Sequence, residues 1–216
     1  MVALSAQELL EAASAAITPQ KPLLDSLREI NLKFLLALLD AVNAPDYGLR
    51  PASGTIAPFF ESLSWDSAVR ASQFPFLLMD LGLSEASTRC NVRALLQQHS
   101  QVREQELSAS PARNNHIALA RAALTLAWHT ARTDICAALI LFGFAPSIAA
   151  DLSSLALHEL DTLAPHCVTP LFPRWAQSPL LWQQLLAPEG YKSVDTVRSF
   201  VMHAFQRNRP VSAGLT

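Results

Sequence analysis

From Asn114 to Ala187 the chain repeats apolar residues at the three- and four-residue spacing of helices, broken only by short interruptions. That spacing confines it to helical architectures. Ile117 to Trp128 is one apolar pattern and Asp134 to Phe142 a second. The second ends at Gly143, a residue that tolerates the left-handed backbone of a helix end. Short helices are expected at Pro146 to Leu152 and at Leu157 to Ala164. The run Leu171 to Trp175 follows, and then an aromatic helix from Leu180 to Leu186. The two short helices have helix-turn-helix spacing, with Ile148, Ala149, Leu152, Leu155, Leu157, Leu160 and Leu163 assigned to the inner face. His158, Glu159, Asp161 and Thr162 are assigned to solvent. A helix that reads bases presents Arg, Lys, Asn or Gln near its start, so this acidic surface favours a structural corner. Ile117, Leu124, Trp128, Ile135, Leu139, Leu155, Leu160 and Leu163 are expected to be mostly buried.

The first half is also helical in pattern. Ser5 with Glu8 fits a capping box for a helix ending near Ile17. A second helix is expected from Pro22 to Asn43, with Leu27, Ile30, Leu32, Phe34, Leu35, Leu38, Leu39 and Val42 on its apolar face. Asn43 to Pro58 holds Pro45, Pro51 and Pro58 with Gly48 and Gly54 and has no periodicity, which predicts a loop. Ser64 is a cap for a helix over Trp65 to Gln73. Phe76 to Leu81 is expected as a further helix started by Pro75 and closed by Gly82. Arg89 to Leu107 reads as a polar helix, Ser108 to Asn115 as a break, and Ser193 to Gln206 as a last helix. The expectation is an all-α multi-helix bundle with a helix-turn-helix-like corner. It divides into an N-terminal half, 1–110, and a C-terminal half, 111–216, or forms one continuous domain. Phe76 to Ser84 echoes Leu139 to Ser147, leaving open either an internal duplication or two similar helix ends.

Composition narrows the function. Charged residues make up only 16% of the chain and apolar residues 50%. So little charge points to a large core, to apolar surface kept for a partner, or to both. A net charge of −2 lacks the basic stripe with which a stand-alone nucleic-acid binder releases counterions. Cys90, Cys136 and Cys167 are widely separated and lack paired spacing, so neither a zinc site nor a disulfide framework is expected. The chain reads as cytoplasmic. The N-terminus has no basic start, and every long apolar run is interrupted by Arg, His or Asp before it could span a bilayer, so no membrane segment is expected.

Candidate chemical constellations are sparse. Among the six histidines only His158 and His166 lie close in sequence, and no HExxH pattern occurs. His166 and Cys167 are neighbours in a proline-flanked loop, a poor arrangement for a nucleophile and its base. No nucleophile elbow, phosphate loop or dinucleotide fingerprint is present. The expectation is therefore a non-enzymatic protein with no catalytic residues, no cofactor and no metal. The densest aromatic cluster is Phe172, Arg174, Trp175 and Trp182, residue types enriched at interaction hot spots. These four are the candidate partner-binding residues; Trp at helical spacing also fits a core.

A resemblance adds to this reading. Ser26 to Asp40, with its Ile30-Asn-Leu-Lys-Phe-Leu-Leu-Ala run, looks like the opening helix of the flagellar master regulator subunit FlhD. Ala131 to Phe144 followed by Ser147 to Leu163 resembles the helix–glycine–helix pattern of FlhD and its partner FlhC, and of mobile-element relatives. The resemblance covers roughly half the chain in two pieces. It implies a helical regulator acting in a hetero-oligomer at promoters. The four-cysteine zinc cluster of FlhC and a basic DNA-contacting surface are both missing here, so DNA contact is expected only weakly or through a partner. The resulting expectation is regulation of transcription through protein–protein contacts or self-association. The alternative is an adaptor or chaperone of a secretion or motility machine.

Overall fold

The computed structural model describes residues 21–43, 56–83, 92, 96, 111–168 and 172–187. These contain eight α-helices: α1 (Lys21–Asn43), α2 (Ala57–Glu61), α3 (Trp65–Ser72), α4 (Pro111–Thr133), α5 (Ile135–Phe142), α6 (Pro146–Ser154), α7 (Leu157–Leu163) and α8 (Pro179–Leu186). A 3-10 turn, Ala164–Val168, follows α7. Strands β1 (Met79–Asp80) and β2 (Phe172–Pro173) pair antiparallel, Met79 opposite Pro173 and Asp80 opposite Phe172. The fold is all-α, as the periodicity predicts. The expected first helix, the polar helix at 89–107 (apart from helical positions 92 and 96) and the last helix lie outside the described residues, as does most of the expected loop at 43–58.

The two long helices form the centre. α1 packs on α3 and α4, and α4 also packs on α5, α6, α7 and the 3-10 turn. Leu27, Phe34 and Leu35 from α1 are fully enclosed, as are Ala120, Ala123, Leu124 and Ala127 from α4. The run of alanines lets helices approach α4 closely on several sides. Buried residues of both halves, from Leu23 to Leu185, belong to one contiguous core.

Several local expectations hold for their stated physical reasons. The Ser64 hydroxyl accepts from the Ser67 N–H, and Ser67 returns a bond to the Ser64 N–H, so a reciprocal cap starts α3. The Asp134 carboxylate accepts from the Ala137 N–H at 2.9 Å. This cap separates α4 from α5, in keeping with the two apolar patterns of the sequence. Gly143, at φ 69°, closes α5 in the left-handed region, and the chain turns through 118° between α5 and α6. The tail of the next corner is pinned to α4: Trp128 donates its indole N–H to the Leu155 carbonyl at 2.9 Å.

Four expectations fail. Residues 76–81 are not helical; they run from a bend at Phe76 into β1. The cause is Asn31, fully buried on α1. Its Nδ2 donates to the carbonyls of Phe74 and Phe76, at 3.2 and 2.8 Å, and its Oδ1 accepts from the Leu78 N–H at 2.9 Å. The side-chain amide thus binds this backbone as a neighbouring strand would, and Gly82 (φ 68°) turns the chain after a strand. The expected break at 108–115 ends early, because α4 begins at Pro111. Ile135 is exposed: the new helix starting at Asp134 does not carry on the face of α4. Leu157 is exposed as well, since it opens α7 one turn before the buried Leu160. The two segments of the apparent repeat therefore differ in backbone, one extended and one helical, and share only a glycine at positive φ.

Candidate interaction site

The aromatic cluster forms where β2 leads into α8. Phe172 and Pro173 pair with β1, and the Arg174 N–H donates to the Leu78 carbonyl at 2.7 Å, extending that short pairing by one bond. The chain then reverses through Arg174 to Gln177. Trp175 takes φ 58°, the only left-handed residue other than glycine among those described. Such a conformation costs about 1–3 kcal/mol in a residue with a side chain. Its ring is held edge-on to Phe74, centroids 6.0 Å apart, and beneath the Arg174 guanidinium at 4.3 Å.

Arg174 reaches inward. The residue as a whole is half-buried, and its guanidinium lies against Gly143 and the Leu141 carbonyl. Desolvation lowers its pKa to about 10, and the nearby Asp80 carboxylate opposes that fall. Its Nη1 donates to the Leu141 carbonyl at 3.1 Å and, more weakly, to that of Leu77 at 3.4 Å. Leu141 lies in the last turn of α5, where carbonyls lack helical partners and a cation is favourable. The Leu77 N–H donates to the same Leu141 carbonyl at 2.9 Å. Room for the guanidinium exists because residue 143 is glycine: a Cβ there would strike Arg174. One arginine thus fastens the 76–80 strand, the end of α5 and the start of α8 together.

Trp182 completes this arrangement from α8. It is 0% exposed, meets Phe60 edge-on at 5.1 Å, and donates its indole N–H to the Arg174 carbonyl at 3.1 Å. Of the four residues singled out in the sequence, Trp182 and the charged end of Arg174 therefore face the interior. Trp175 is half-buried, and Phe172 is 41% exposed. Composition does not distinguish a hot-spot cluster from a core junction, since both favour Trp and Arg.

Two further large apolar side chains reach the surface on α8 and α3. Leu180, at the start of α8, is 72% exposed, and Trp65, at the start of α3, is 57% exposed; α3 and α8 pack against each other. Sequence reasoning missed both. Leu180 stands one residue outside the Leu181, Trp182, Leu185 face, and Trp65 directly follows the Ser64 cap, so helix phase was a usable signal.

The other candidates are scattered. His158 is exposed on α7, while His166 is half-buried and Cys167 buried in the 3-10 turn. Among the described residues no group of three or more His, Cys, Asp or Glu side chains is placed to hold a metal ion, and no single helix is long and apolar enough to cross a membrane. On the corner, Asp161 pairs with Arg121 of α4 at 2.8 Å, and the Glu159 carboxylate accepts from the Ala156 N–H at the start of α7. Compared with protein-family models, curated proteins and solved structures, the chain matches none.

Proposed function

We propose that this chain is a non-enzymatic helical regulatory protein that works by protein–protein contact within a transcription-control assembly. The carrying observation is the exposure of three large apolar side chains, Trp65 on α3, Phe172 on β2 and Leu180 on α8, in a chain poor in charge; we read them as one apolar edge, since α3 and α8 pack together. Single exposed apolar residues are ordinary, but several on neighbouring elements fit a docking site. Of the predicted set, Phe172 belongs to this edge, while Trp175 is half-buried. The placement in transcription control comes from the resemblance of Ser26 to Asp40 and Ala131 to Leu163 to the flagellar master regulators.

Apolar docking gains about 25 cal/mol per Å² of buried surface before the entropic costs of association. Such docking responds weakly to salt. Sedimentation of the full chain, alone and with a helical partner, tests this. The expected result is self-association or partner binding that tolerates salt and is lost in Leu180→Asp. Steeply salt-dependent binding of random duplex DNA by the chain alone would overturn the proposal.

A further inference from the structure

Residues 172–187 hold on to the rest of the described chain through a small set of contacts. Their main packing is on the short helices α2 and α3 and on the two-residue strand β1, not on the long helices α1 and α4. The apolar side of α8 keeps them in place: Leu181, Trp182 and Leu185 are buried, and Trp182 meets Phe60 edge-on.

Three features of the same segment weaken that attachment. Trp175 takes a backbone conformation unfavourable to a residue with a side chain, at φ 58°. The desolvated Arg174 guanidinium bonds the carbonyls of Leu141 and Leu77, and among the described residues no carboxylate pairs with it. Carbonyls replace the lost hydration of a cation only in part. α8 itself has eight residues, and the Ser178 side chain makes no cap bond, so the helix is too short to persist without its neighbours.

We propose that β2 and α8 form a strap that undocks as one unit while α1 and α4 to α7 stay folded. Undocking breaks the β1–β2 pairing, the Arg174 N–H bond to the Leu78 carbonyl and the guanidinium bond to Leu141. It uncovers Phe60 and Phe74, and it frees a segment in which Leu181, Trp182 and Leu185 join the exposed Leu180. The value of this device in regulation rests on the docking reading: the closed strap shows a partner only its outer edge, and the open strap offers a longer apolar surface. Partial openings of this kind lie between fraying and global unfolding in free energy.

Native-state hydrogen exchange of the full 15N-labelled chain, in steps of denaturant below the unfolding transition, tests the proposal. The amides of Arg174 and Leu185 are expected to share one opening constant, about a hundredfold or more above that of Leu35 and Leu124. Their opening is also expected to depend less on denaturant, because it exposes less surface. Trp182→Ala is expected to leave the strap open, with native amide signals kept for α1 and α4 and lost for 172–187. Leu180→Asp, at an exposed position, is expected to keep the separation of opening constants while abolishing association, so this proposal and the docking reading fail separately. Exchange of Arg174 and Leu185 only together with Leu35 and Leu124, or at two unrelated opening constants, would overturn the strap. So would a Trp182→Ala chain that loses its α1 and α4 signals.

Discussion

Asn31 has the largest structural consequence for its size. It is a lone polar residue on the otherwise apolar face of α1, and its three hydrogen bonds fix the non-helical backbone of residues 74–78. Asn31→Ala removes the partner of the Phe76 carbonyl and the Leu78 N–H in a dry site. The expected loss is about 2–5 kcal/mol, read from chemical denaturation, since each orphaned group costs about 1–3 kcal/mol. An unchanged midpoint would mean that the strand holds without the amide. A second residue-scale prediction joins Gly143 and Arg174. Gly143→Ala is expected to destabilise by about 1–2 kcal/mol from backbone conformation alone, with the displaced guanidinium adding to that. Arg174→Ala removes the obstruction, so the two losses are expected to be less than additive in a double-mutant cycle. Strict additivity would show that the glycine is not there to admit the arginine. Little at this scale was legible in the sequence. The polar interruption at Asn31 was visible inside the Ile30-Asn-Leu run, but its partners lie more than forty positions away. Burial of the Arg174 charge depends likewise on elements distant in sequence.

At the scale of elements, the C-terminal half was largely readable because its signals are local. Gly143, Pro146 and the apolar spacing of α6 and α7 each act within a turn or two. The errors fall where tertiary contact outweighs pattern, as at 76–81, or where a cap shifts a helix's phase, as at Ile135. Leu160 sits on the inner face of α7 and is almost fully enclosed. Leu160→Ala is expected to cost about 2–5 kcal/mol by chemical denaturation; no change would mean that the corner does not pack on α4. His116 supplies a test of α4 by pH. Burial lowers its pKa below the ordinary 6.5, so the folded chain resists a proton that the unfolded chain accepts. Stability is therefore expected to fall as pH drops through 6.5 towards the lowered value, and to recover as pH rises. His116→Gln is expected to flatten that part of the profile. A slope identical to that of the parent chain would assign the dependence to other groups.

The whole molecule joins both halves of the sequence in one core, with α1 from the first packed on α4 from the second. The overall class was legible, since helical spacing needs no distant information. The surface was not, because whether a Trp faces inward or outward depends on how elements meet. Trp65 and Trp182 are the same residue type, one exposed and one enclosed. The central claim is that the chain works through its apolar edge. Sedimentation velocity of the parent chain and Leu180→Asp, at about 50 and about 200 mM salt, tests it most directly. The account predicts association of the parent chain that is nearly unchanged between the two salt conditions, and a monomer for Leu180→Asp in both. Association that disappears at the higher salt, or that survives Leu180→Asp, would contradict it.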